Sequence, residues 1–207
     1  QVYEHKFDVG LDRRASFTAG QRKQQYDAAM RVHRLFGEET AALDRIQQLR
    51  ASVAAAGANT AVDAATKTKL AAFEAKLDDV RKRIVATKEG GAITGEERLR
   101  EHTDLLYGAI MRYEGAPSDY QVERIGVLEA ELADIEQQFE RLVAADLPAV
   151  NQALRDADQP PVAVPAKVPA MADAGISSAN AHWLSTRKRK DRKSMFHSLP
   201  QDAVRLR

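Results

Sequence analysis

The chain has 207 residues, 44% hydrophobic and 29% charged, with few aromatics and no cysteine. That length holds one domain with room for a tail, and the missing thiols exclude disulfides, thiolate metal sites and cysteine nucleophiles. The formal charge of +1 divides into −5 over residues 1–158 and +6 over residues 159–207, which points to two segments of different character.

Residues 1–17 read as an extended arm. Val2, His5, Phe7 and Val9 alternate with polar neighbours in the period of a short strand. A lone strand leaves its backbone donors and acceptors unpaired. The arm is therefore expected to pair with a sheet edge upstream, the chain being entered at Gln1 as a fragment of a longer protein. A polar turn at Asp12-Arg13-Arg14 follows.

Residues 18–158 are expected to form a helical bundle. Its segments open on Thr18…Gln21, Thr60…Asp63, Thr94…Glu97 and Ser118…Gln121, the reciprocal hydroxyl-and-carboxylate (or amide) pattern of a capping box. Behind the first, Tyr26, Met30, Leu35, Phe36, Leu43, Ile46, Leu49 and Val53 form a broad stripe on a helix over roughly 18–56, the expected spine. The second has a seam of Leu70, Phe73, Leu77, Val80 and Ile84. The third has Leu99, His102, Leu106, Ala109 and Tyr113; the fourth has Ile125, Leu128, Leu132, Ile135, Phe139 and Leu142. Seams of this spacing pack helices knobs into holes. Gly57-Ala58-Asn59, Gly90-Gly91 and Gly115-Ala116-Pro117 mark the breaks, with glycine suited to a left-handed cap. Short connections imply antiparallel neighbours. A short fifth helix is expected from Asp146, with Pro148 in its first turn.

From residue 159 the character changes. Proline at 160, 161, 165 and 169 marks a polyproline-like linker, and the basic remainder has no apolar period and is expected to be mostly disordered. No stretch approaches the ~20 apolar residues of a membrane span.

Candidate chemistry is sparse. The Glu-x-x-His pairs of a bundle di-metal site are missing, since Val2, Met30 and Leu99 stand three before His5, His33 and His102. His102 falls on a seam, where histidine is more often a hydrogen-bonded boundary residue than a ligand. Glu129, Glu131, Asp134, Glu136 and Glu140 lie off their seam, as on a solvated face. Gly90-Gly91 lacks the Lys-Ser/Thr of a phosphate loop. No catalytic, metal or cofactor residue is assigned. Arg187, Lys188, Arg189, Lys190, Arg192 and Lys193, flanked by Trp183 and Phe196, are the candidate polyanion contact. A solvated tail is the favoured interpretation, because the acidic body offers no second basic patch.

Lys6-Phe7-Asp8-Val9-Gly10-Leu11-Asp12-Arg13-Arg14, Tyr113-Glu114-Gly115-Ala116-Pro117-Ser118 and Asp146-Leu147-Pro148-Ala149-Val150-Asn151-Gln152-Ala153-Leu154 resemble the C-terminal helical region of bacterial sortilin-type, Asp-box (BNR) repeat propeller proteins labelled glycosyl hydrolases. The resemblance spans roughly residues 3–162. Arg13 stands where that family usually has proline, which loosens the corner, and the chain after about 165 departs from the family's ending, as an extension or a shifted reading frame. The resemblance implies an exported parent whose catalytic residues, if any, lie on upstream propeller blades. Phe7, Asp8, Asp12, Arg13 and Arg14 are then the inter-domain corner. The expected fold is all-α: an antiparallel bundle of four main helices and a short fifth, with an extended arm and a disordered tail. The expected role is a non-catalytic C-terminal helical domain that supports a propeller or binds a protein partner. The alternative is a free-standing helical module whose basic tail binds nucleic acid or an acidic partner. An enzyme with a site inside the bundle ranks last.

Overall fold

A long apolar stripe runs along α1 (Ala19–Ala58), the longest of the described helices. Ala28, Val32, Leu35, Glu39, Ile46, Leu49 and Val53 are buried along it, with Ala42 partly so. The steps of three and four keep these positions on one side of a helix. At ~1.5 Å per residue the helix is ~60 Å long, enough for every other helix to pack on it. The others are α2 (Ala64–Ile84), α3 (Leu99–Arg112) and α4 (Asp119–Asp156). The computed structural model describes residues 3–8, 10, 12–14, 16–88 and 95–167. The four packed helices are the all-α bundle expected from the seams.

Cross-helix pairs set the directions. Arg50 of α1 meets Glu74 and Asp78 of α2, and the backbone at Gly57 approaches Leu70, so α2 returns along the second half of α1. Thr103 of α3 meets Glu39, while Gln25 donates to the carbonyl of Ile110, so α3 returns along the first half. Arg31–Glu129 and Arg45–Glu140 make α4 parallel to α1. The antiparallel rule therefore holds for α1/α2 and α3/α4. In contrast, α2 and α3 follow one another in the same direction and touch least of any helix pair. Together they make one interrupted strand of the bundle.

Two helix starts are those expected. Thr18 Oγ1 accepts from the Gln21 amide at 3.2 Å and Gln21 Oε1 from the Thr18 amide at 2.8 Å; Ser118 and Gln121 repeat the exchange at 3.3 and 2.9 Å. The other two move. α2 is capped by Asp63, not Thr60: its carboxylate accepts from the Thr66 amide at 2.7 Å, which holds its pKa below the ordinary value. Asn59 closes the preceding turn by accepting from the Ala61 amide at 2.9 Å, so Thr60 lies in the turn. α3 begins after Arg98, whose amide donates to Glu101 Oε2 at 3.0 Å; Thr94 lies outside the described residues.

The fifth helix is not separate. α4 continues through Pro148 to Asp156, because Leu147, Val150 and Leu154 stay buried in phase with Ile135 and Phe139. Their burial offsets the hydrogen bond that proline cannot make. Gly57 and Gly115 do not form the left-handed cap, and Gly90 and Gly91 lie outside the described residues. Among the described residues no glycine has positive φ, and Asp158 does, at 53°. The Gln159 amide donates to the Leu154 carbonyl at 2.8 Å and the Asp158 amide to that of Arg155 at 3.0 Å, a Schellman ending with aspartate where glycine usually sits.

That reversal lays residues 159–167 back along the bundle. Gln159 accepts from Asn59 at 2.6 Å, and Asn151 exchanges two hydrogen bonds with the backbone of Val162 at 3.0 and 2.8 Å. Arg45 Nε donates to the Pro165 carbonyl at 2.9 Å. Val162 is buried and Val164 packs on the core. The proline-rich stretch expected as linker is, to Lys167, a strap on the bundle, because fixed proline torsions make an extended segment cheap to order. At the other terminus, residues 3–8 form no strand; the described chain offers no sheet edge for them to join. Replacing Asp158 by glycine relieves the left-handed backbone, and urea denaturation should show a gain of about 1 kcal/mol.

Candidate functional site

Two features of α3 stand out, one on each side. Its inner stripe is Leu99, Thr103, Leu106 and Ile110, all buried. This is rotated from the expected seam: Leu99 and Leu106 are shared, but Tyr113 is 66% exposed and His102 only half-buried. The rotation follows from Thr103, a polar residue that finds a partner in the interior.

That partner is Glu39, fully buried on the α1 stripe. Thr103 Oγ1 lies 2.6 Å from Glu39 Oε1 and 2.9 Å from the Leu99 carbonyl. A hydroxyl has one hydrogen. If Glu39 is neutral, its own O–H donates to Thr103, and Thr103 donates to Leu99; both contacts are satisfied. If Glu39 is ionised, two acceptors compete for one hydrogen. The second oxygen, Oε2, has no hydrogen-bond partner, a cost far larger for a charge than for a carbonyl. Burial accordingly pushes Glu39 up to about 7. The Thr103 hydrogen bond and the charge of Arg100 pull it down, while Glu101 and Glu131 push it further up. Arg100 is itself turned to Thr40 Oγ1 at 3.1 Å and lies over the Phe36 ring.

The outer side of α3 is different. His102, Leu105, Ala109 and Tyr113 face an open groove of about 780 Å³ whose other wall is Tyr120, Gln121 and Arg124 of α4. Leu105 is 58% and Tyr120 71% exposed. A Cβ on Gly115 would stand 2.7 Å from the Tyr113 ring, so glycine there lets the ring fold over the α3–α4 corner. His102 Nδ1 is 3.5 Å from Glu97.

The residues singled out in the arm are not brought to this groove. Phe7 and Asp8 are exposed. Asp12 accepts from the Arg14 amide at 2.9 Å and its guanidinium at 2.8 Å, which holds the turn locally; Arg13 is exposed. Arg187 to Lys193 lie outside the described residues. Among those described, no three His, Asp or Glu converge as a metal site requires, and no helix is long and apolar enough to cross a membrane. Neither Glu39 nor Thr103 belongs to a recognisable sequence motif. The spacing carried a signal, since Glu39 stands in phase on the α1 stripe between Leu35 and Ile46.

Compared with family models, with curated proteins and with solved structures, the chain matches none.

The buried carboxyl has a clear pH signature. Its folded pKa is raised above the ordinary value of 4.5, so its contribution is complete below that value and is lost as pH rises through about 7. Stability from urea denaturation should fall by about 2 kcal/mol between pH 5 and 8, and Glu39→Gln should remove most of that slope. Asp78 and Glu96, both lowered to about 2, act only at more acid pH.

Proposed function

We propose that this chain is a non-catalytic helical domain that supports an adjoining body of a longer parent protein, docking through the half of the bundle where the arm enters. The observation that carries it is where the exposed apolar side chains lie. Among the described residues, the exposed large hydrophobics are Tyr3, Phe7, Tyr26, Leu105, Met111, Tyr113, Tyr120, Val122 and Val127. They come from the arm, the start of α1, α3 with its C-cap Tyr113, and the start of α4; the pairs Gln25–Ile110 and Arg31–Glu129 place the three helical parts together. The half built from α2 and the later parts of α1 and α4 contributes none of these side chains and carries ion pairs such as Arg50–Asp78, Arg83–Asp134 and Lys76–Asp146. Exposed apolar clusters of this kind mark interaction surfaces. The resemblance to the helical region of Asp-box propeller proteins names the body: an upstream propeller of an exported parent, reached through the corner at Phe7 to Arg14.

The test places a photo-cross-linking residue at Tyr120 or Leu105 in the full-length parent, with Lys76 as the control. Links to the preceding region from the first two positions and not from Lys76 are expected, and Tyr120→Glu should reduce links from Leu105 at least severalfold. Equal linking from all three positions, or glycoside or peptide hydrolysis by this chain alone, contradicts the proposal.

A further inference from the structure

We propose that the Glu39–Thr103 contact is a proton-operated latch: the neutral acid holds α3 on α1, and loss of its proton releases α3 while the rest of the bundle stays packed.

The geometry isolates α3 in the way a latch needs. It has 14 residues, close to the length below which an isolated helix is marginal in water, so its persistence depends on its attachments. Inside, these are Leu99, Leu106 and Ile110 around the Thr103 hydroxyl. α2 touches it least; α2 packs Leu70, Phe73, Leu77 and Val80 chiefly on α1 and α4 and is tied to α4 by Arg83–Asp134. One half can therefore open while the other persists, as locally cooperative units do.

The contact itself has two states. With the proton present, Glu39 donates to Thr103, Thr103 donates to the Leu99 carbonyl, and a neutral carbonyl oxygen is the only group left unpaired. With the proton gone, one hydroxyl hydrogen faces two acceptors, and a full charge sits in the core with Oε2 bare. The charged groups acting on it are Arg100 and Glu101 from α3 and Glu131 from α4. Two are acidic and repel the carboxylate. The one cation is engaged with Thr40 and Phe36, and both acidic neighbours lie across a helix interface from Glu39. Moving α3 away admits water to the carboxylate and frees Thr103, while Arg100 and Glu101, opposite in charge, leave together.

α3 also provides one wall of the outer groove, through Leu105 and Tyr113. Releasing it dismantles that wall, so docking would weaken above neutral pH. This consequence rests on the groove being the interface proposed above; the movement of α3 does not.

Hydrogen exchange separates the two. In the intact chain, with rates corrected for intrinsic exchange, opening of amides in Leu99–Arg112 should rise about tenfold from pH 6 to pH 8, as expected if the carboxyl regains an ordinary pKa when exposed. Amides in Ala64–Ile84 should change less than twofold. Glu39→Gln should abolish the rise. Thr103→Val should expose α3 at both pH values and keep the dependence on pH, because the buried acid remains. A flat profile in α3, or equal loss in α2 and α3, overturns the latch. An exchange profile as expected with cross-linking from Tyr120 unchanged between pH 6 and 8 overturns its control of the groove and leaves the latch standing.

Discussion

One stripe on α1 organises the described bundle. Every other helix buries its apolar face against that stripe or against a helix already on it, and burial of this kind supplies most helical stability in a domain of this size. The stripe runs without a break from Ala28 to Val53, except that one of its positions is a carboxylic acid. Burying the charged form would require a cation or several donors. Glu39 has one hydroxyl. The core therefore tolerates the residue chiefly as a neutral acid, and the bundle is sensitive at this level to the state of a single proton.

The interruption between α2 and α3 falls at the same level. Ile84 ends α2 and Leu99 starts α3, and the Ala86 amide donates to the Glu101 carboxylate across the break. The bundle is thus three helices thick along its length, with the middle strand divided near the buried acid. Its two halves also differ at the surface. The later half is covered by ion pairs centred on Asp78, which meets Arg50, Arg81 and Lys82 within 2.9 Å. These pairs, with Asp78 mostly buried and its pKa lowered to about 2, fix the register of α1 against α2. The earlier half exposes aromatic and aliphatic side chains. A charged half and a short-helix, apolar half are what the proposed support role calls for, with docking at the softer end.

Most of the architecture was legible before any coordinates. The α2 and α4 seams are buried residue for residue, apart from the partly buried Leu142, because their apolar positions have one strong face and no polar intruder. The caps at Thr18 and Ser118 form because glutamine at the third position reaches back. The misplacements have specific causes. Thr60 and Asp63 both qualify as caps by type, and the Asn59 turn decides between them. Pro148 argues for a break, and burial on either side overrules it. The α3 seam was turned because Thr103 looks like a surface residue until Glu39 is seen opposite. The strap was hidden because proline-rich composition describes a stiff, extended chain equally well whether it is free or packed. Asp12 and Arg14 are legible as a turn, and their ion pair serves that turn.

The account depends on Glu39 being a neutral acid inside the fold near neutrality. Its side-chain carboxyl carbon, followed by NMR from pH 4 to pH 9, reports this directly. The account predicts a single titration with a midpoint near 7, and a midpoint near the ordinary 4.5 would contradict it.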